Sequence, residues 1–291
     1  MLQITDLRKR FGDKVALDGV GFTVRPGEMF GFVGANGAGK TTTMRIAMGV
    51  LRADSGSVTW QNAPVGPGER RRFGYMPEER GLYQKMRVAE QIEYFGRLHG
   101  LSQSRAATAT AELLERLSLT ERRGDAVEAL SLGNQQRVQL AVALVHDPEV
   151  LILDEPFSGL DPIAVDALAG VLQERRAGGV PVVFSSHQLD LVERLCDAVG
   201  IISAGRMVAS GAVAELRSAG NNLLRVVVRG AVPGWADGLP GTLTTEGDAS
   251  VLVTGHRDDQ EILRRAVNAG RLEHFGVERP SLTEIFKEAT A

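Results

Sequence analysis

The run Gly34-Ala35-Asn36-Gly37-Ala38-Gly39-Lys40-Thr41-Thr42 constrains this chain more than any other stretch. It fills every fixed position of the phosphate-cradling pattern G-x-x-x-x-G-K-[ST]. The residues before it, Glu28 to Val33, read as a short buried strand, and those after it, Thr41 to Leu51, read as a helix. Glycines let the backbone curl so that successive N–H groups aim inward at phosphate oxygens. The helix N-terminus adds partial positive charge, Lys40 adds a full one, and Thr41 offers a hydroxyl to Mg²⁺. Strand, loop and helix in that order predict a nucleoside triphosphate site.

The length of 291 residues allows one large domain or two. A net charge of −3 exerts no global pull on nucleic acid, and no nucleic-acid partner is expected. The single cysteine, Cys196, excludes an internal disulfide framework and suits a reducing cytoplasm. No apolar run reaches the ~18 residues needed to span a bilayer. The start, Met1-Leu2-Gln3-Ile4-Thr5-Asp6, carries no secretion pattern. A membrane role would therefore run through a partner.

In chain order, Leu2 to Leu7 and Val15 to Val24 alternate as hairpin strands do, with Arg8-Lys9-Arg10-Phe11-Gly12-Asp13 as the turn between them. Phe11, an aromatic in a basic turn, suits stacking on a purine; it equally suits plugging a hairpin end. Short strands are expected at Ser57 to Trp60 and at Phe73 to Pro77. From Val88 to Leu117 the spacing turns helical, and a further helix runs from about Gln135 to Val145, so residues 86–145 form a helical insert. Val150 to Leu153 is apolar throughout, as a strand buried on both faces must be. A helix from Ile163 to Arg176 stops at Gly178-Gly179. Strand, helix and strand follow at Val180 to Ser185, Leu189 to Cys196 and Val199 to Ser203. This alternation predicts an α/β fold with a mostly parallel sheet, flanking helices and an N-terminal antiparallel β subdomain. Ser218-Ala219-Gly220-Asn221-Asn222 reads as a linker, placing one domain at 1–217 and a small α+β domain at 222–291. The second carries no chemical motif, and His256 and His274 stand there without a cluster.

Several residues point to phosphate chemistry. Asp154 closes an apolar strand and is the expected Mg²⁺ partner of Thr41 across adjacent strands. Glu155 points differently and can accept a proton from, or orient, an attacking water. His187 ends another core strand, where a donor can reach a γ-phosphate oxygen; His99 and His146 read as structural. Leu130-Ser131-Leu132-Gly133-Asn134-Gln135 opens a helix with a serine and a glycine, either a plain N-cap or an anion site.

Taken together, these segments resemble the ATP-binding subunit of an ABC transporter, a P-loop NTPase family. Gly34 to Thr42 resembles its Walker A motif, Val150 to Glu155 its Walker B motif, and Leu130 to Gln135 its LSGGQ signature. Ser158-Gly159-Leu160-Asp161 resembles its D-loop, His187 its switch histidine and Phe11 its A-loop aromatic. Two departures stand out. Glu78 occupies the place of the Q-loop glutamine, and the signature has Leu132 for glycine and Asn134 for glutamine. Pro77-Glu78-Glu79-Arg80-Gly81-Leu82-Tyr83 and the appended domain resemble the bacterial sodium-efflux and drug-resistance branch.

The resemblance implies an ATPase with ATP and Mg²⁺ as cofactors and a homodimer joined head to tail. Gly34, Asn36, Gly37, Ala38, Gly39, Lys40, Thr41 and Thr42 would face the Ser131 and Gly133 of a second copy, with Asp161 nearby. Thr41, Asp154 and Glu78 would hold the metal, while Lys40, Glu155 and His187 would carry the chemistry. It also implies a separate transmembrane permease, export as the direction, and a cytoplasmic place against the inner face of the cell membrane. Glu78, the residues after it and the helical insert would pass motion to that permease. The alternative is a soluble ATPase or regulatory module of the same head. The long coiled coil of repair versions and the second head of ribosome-acting ones are both missing from the sequence, as is a guanine-specific N-K-x-D segment.

Overall fold

Apolar alternation interrupted by tight turns lays down the first layer. A computed structural model describes residues 1–79, 81–219, 223–239, 241–255 and 259–290. Arg80, Gly220, Asn221, Asn222 and His256 from the readings above lie outside them. β1 (Leu2–Phe11) and β2 (Lys14–Val24) pair antiparallel from Leu2↔Val24 to Phe11↔Lys14. The strand thus runs on through Arg8, Lys9 and Arg10, which the sequence places in the turn. A register shift around Asp6, whose φ is 46°, keeps Leu7 in the core. Asp54 then holds the basic stretch extended, bonded to Lys9 Nζ and to the Arg10 N–H, each at 2.7 Å.

β3 (Met29–Val33) leads into α1 (Lys40–Ala47), which stops four residues short of the expected Leu51, just before Gly49 takes φ +69°. β4 (Ser55–Trp60), β5 (Ala63–Pro64), the single-turn α2 (Pro67–Arg70) and β6 (Phe73–Met76) follow. The long helical run is two helices, α3 (Val88–Leu98) and α4 (Gln103–Arg116). Gly100 at φ +95° breaks it, and Ser102 caps the second piece. Next come α5 (Leu132–Leu144), β7 (Val150–Leu153), α6 (Pro162–Ala177), β8 (Val182–Ser186), α7 (Leu189–Leu195), β9 (Ala198–Ser203) and β10 (Arg206–Ala212). β10 escapes sequence analysis because Arg206-Met207-Val208-Ala209-Ser210-Gly211-Ala212 holds only one β-branched residue.

One antiparallel sheet has the order β2-β1-β4-β5, and the central sheet has the order β10-β9-β3-β8-β7-β6. All neighbours in the central sheet run parallel except β10 against β9. Phe22 of β2 stacks on Phe30 at 4.6 Å and lies 5.0 Å from Phe32, joining the two sheets, with Met44 and Ile46 of α1 in the same core. β3, β7 and β8 are buried along their whole lengths.

The chain divides into two compact units, Met1–Ala212 and Val213–Ala289. In the second, α8 (Val213–Ala219) absorbs Ser218, read as linker, whose hydroxyl donates to Ala214 O at 2.7 Å. β11 (Leu223–Arg229), β12 (Thr242–Glu246), β13 (Ala249–Thr254), α9 (Asp259–Ala269), β14 (Arg271–Glu278) and α10 (Leu282–Thr290) complete it. Its sheet, in the order β12-β13-β11-β14, is antiparallel throughout. Leu224, Val226 and Val228 face Ile262 and Ala266 of α9 inside, while Arg225 and Arg229 pair outside with Glu278 and Glu273.

In the first unit the His99 and His146 rings stack at 3.7 Å. His99 Nδ1–H donates to Arg71 O at 2.9 Å and His146 Nε2–H to Phe73 O at 3.1 Å, so each ring is tied to a backbone carbonyl. Burial, and after it the neighbouring His99, pushes the His146 pKa down to about 4. An unfolded histidine titrates near ~6.5, so the unfolded chain binds the extra proton between those values. Stability from this group is present above pH ~6.5 and is lost as pH falls toward 4. His146→Leu should flatten the decline in unfolding free energy between pH 7 and pH 5, as read by urea denaturation; an unchanged slope would contradict this.

Candidate functional site

At the end of β3 the chain has little freedom. A Cβ on Gly34 would stand 2.4 Å from Ile202 O, and one on Gly39, at φ +117°, 2.7 Å from Leu17 Cδ2. Ala38 N–H donates to Ala35 O at 3.1 Å, and Ala38 O accepts from Gly205 N–H at 2.9 Å, tying the loop to the β9–β10 turn. Lys40, at the head of α1, is 6% exposed. Its ammonium donates to Gly34 O at 2.7 Å and lies 3.6 Å from Glu155 Oε1.

The sheet order corrects one expectation. β8 lies between β3 and β7, so Asp154 is not on a strand adjacent to the loop's own. Chain order does not give spatial order in a sheet whose parallel strands are joined by crossovers. Ser185, on the intervening strand, fills the gap. Its hydroxyl donates to Asp154 Oδ1 at 2.6 Å and accepts the Glu155 N–H at 2.8 Å. Asp154 is wholly buried, and its Oδ2 has no hydrogen-bond partner. Burial raises its pKa, the Ser185 bond and the nearby Thr41 hydroxyl oppose that, and the Glu78 and Glu155 charges add to it.

Glu155 adopts φ 51°, a left-handed turn that separates its side chain from that of Asp154. Its Oε2 lies 3.0 Å from His187 Nδ1, and the carboxylate is almost fully buried. Thr41 Oγ1 donates to Glu78 Oε2 at 3.2 Å. A cleft begins at Phe11, half exposed with Lys9 Nζ 5.5 Å from its ring centroid. It passes Lys14 and Ala16 and reaches Asn36, Gly37, Gly39, Lys40, Thr41, Thr42, Glu78 and Glu155.

Ser131, Gly133 and Asp161 do not line this cleft. Ser131 caps α5, accepting from the Asn134 N–H at 3.4 Å, and Asp161 caps α6, accepting from Ala164 N–H at 2.8 Å. Leu132 is exposed beside Ser131. Lys14, Ala16, Ser185, Gln136 and Gln139 join the site without having been expected there. The last two donate from α5 to Glu155 O, Pro156 O and Pro77 O. The available signal is polarity out of place: a serine closing an apolar strand, and glutamines buried at i and i+3 on one helix.

Among the described residues no three His, Cys, Asp or Glu side chains form a metal group. The orphaned Asp154 oxygen and the Thr41 hydroxyl nevertheless fit a hard, oxygen-seeking cation that shares its remaining ligands with phosphate and water. Gly39→Ala should abolish nucleotide binding through strain and the clash with Leu17, measured with a fluorescent ATP analogue; undiminished affinity would show the loop tolerates the change.

Residues 17–158 match the family described as ABC transporter, and residues 211–290 match the C-terminal domain of DrrA1-3-like ATP-binding proteins. The ABC transporter ATP-binding protein YhaQ of Bacillus subtilis is 38% identical over 298 residues, covering 99% of this chain and 98% of the relative. The daunorubicin resistance ATP-binding protein DrrA3 of Streptomyces coeruleorubidus is 34% identical, covering 99% of this chain and 95% of its own. A solved ATP-binding subunit of an ABC transporter superposes with a TM-score of 0.70 at 32% identity, over 75% of this chain and 92% of that one. The chain belongs to the ATP-binding proteins of ABC transporters, a family of P-loop ATPases that bind ATP and hydrolyse it to power transport.

Proposed function

We propose that two copies of this chain close head to tail over two ATP molecules and drive export through a separate permease at the inner face of the cell membrane. The convergence of Lys40, Glu155 and His187 at the carboxyl ends of β3, β7 and β8 carries this reading. The loop N–H groups of Gly34 to Thr42 and the Lys40 ammonium receive the phosphates, and Phe11 stacks the base. Thr41, Asp154 and Glu78 would hold Mg²⁺, which neutralises charge on the phosphate oxygens. Glu155 takes the proton of the attacking water. His187 orients that carboxylate by donating from its Nδ1–H. Ser131 and Gly133, with the N-terminus of α5, complete the partner's site, and Asp161 stands beside them.

Export is supported by the drug-resistance name of DrrA3 and by the second unit's match to the DrrA1-3-like domain. Among the described residues no helix is long and apolar enough to cross a membrane, so the path would lie in a partner. An apolar groove suits that partner. Met48, Tyr75, Pro77 and Leu82 line it opposite Phe95 and His99 of the helical insert, and Tyr83 and Tyr94 stand exposed beside it. Its lining takes in Pro77, next to Glu78 in the chain, so a change at the proposed cation seat has a short route to the docked permease.

Glu155→Gln should keep ATP affinity and lose hydrolysis about 100-fold or more, as measured by phosphate release. Wild-type turnover in that variant would remove Glu155 from the chemistry. Tyr83→Ala combined with Phe95→Ala should release the chain from the membrane fraction of cells that make its permease while sparing ATP binding. Unchanged sedimentation with membranes would place docking elsewhere.

A further inference from the structure

One hydroxyl in the site is used twice. Ser185 is 0% exposed at the end of β8, between the strand carrying the phosphate loop and the strand ending in Asp154. A serine hydroxyl has a single proton. Here it goes to Asp154 Oδ1 at 2.6 Å, which fixes the lone pair that accepts the Glu155 N–H at 2.8 Å. From the other side, Gln136 Nε2 donates to Glu155 O at 3.2 Å. Both ends of this residue's backbone are therefore anchored while it holds φ 51°. A non-glycine residue is strained in that left-handed region, so the turn persists only where its surroundings hold it. Held there, the Glu155 carboxylate reaches His187 Nδ1 at 3.0 Å and faces Lys40 at 3.6 Å.

We propose that Ser185 is the positioning residue for ATP hydrolysis, locking Asp154 and Glu155 in their separate directions through one shared hydroxyl. Without it, the buried Asp154 Oδ1 and the Glu155 N–H both lose their partner. Relaxation of the turn is then the available remedy, and it swings Glu155 away from His187. The phosphate loop is untouched by this change, because Gly34 to Lys40 hold their conformation through their own bonds and the β9–β10 turn. The inference rests on the reading of Glu155 as the water-activating group.

The test uses the full chain and compares Ser185→Ala, Ser185→Cys and Glu155→Gln for steady-state ATPase, ATP affinity and thermal unfolding. The cysteine variant keeps the buried volume filled while replacing the hydroxyl by a weak donor and acceptor. Both Ser185 variants should hold KM and ATP affinity near wild type while kcat falls about 10- to 100-fold. Wild-type kcat in either folded variant overturns the proposal, as does a loss seen as a raised KM or a lowered melting temperature with kcat intact. Turnover surviving in Glu155→Gln would instead sink the role of Glu155 itself. An inactive Glu155→Gln beside a fully active Ser185→Ala sinks only the positioning role.

Discussion

Concentrated negative charge with little water around it is what the first unit is arranged to tolerate. Asp154 and Glu155 are buried or nearly so at the end of the central sheet, Glu78 lies close by, and Lys40 is the buried ammonium among them. An ion removed from water costs several kcal/mol unless it is paired and hydrogen-bonded. The pairing here is partial: Lys40 stands between loop carbonyls and Glu155, and one Asp154 oxygen has no partner. The imbalance is held by three strands buried along their whole lengths and by Phe22, Phe30 and Phe32 closing the sheets together. A rigid apolar frame keeps the polar groups from collapsing onto one another, and what the frame leaves unmatched is what the proposed phosphates and cation would complete.

The second unit solves a smaller problem. Its sheet is apolar on the side facing α9 and carries Arg225 and Arg229 amid acidic residues on the other. Exposed ion pairs of that kind contribute about 0–1 kcal/mol each, so the unit's stability resides in the inner face, with Trp235 closing the core. The outer pattern restrains register instead. A slip by one residue would place Arg225 inside and Val226 outside.

Much of this was legible in the residues. The phosphate loop, the uniformly apolar strand before Asp154, and the helical insert each carry a local signal strong enough to survive without a structure. What escaped has physical reasons. Strand neighbours in a parallel sheet are set by crossovers, so the position of β8 between β3 and β7 left no local trace. Arg8 to Phe11 reads as a turn because the carboxylates that keep it extended come from Asp18 on the next strand and from Asp54, far along the chain. Ser185, Gln136 and Gln139 left only a faint trace, a polar side chain out of place in an apolar strand or on the buried side of a helix, and the partners they bond lie far along the chain.

The two glutamines of α5 carry a mechanical consequence. A helix of this length is about 20 Å of stiff rod. Its second and third turns are fastened to the turn after β7 and to the end of β6, while its first turn presents Ser131. A rod clamped near its middle cannot absorb movement; it delivers it. Whatever displaces the backbone at Glu155 is handed undamped to the Ser131 end, so in the proposed head-to-tail pair the surface that one copy offers its neighbour would be a readout of that copy's own nucleotide.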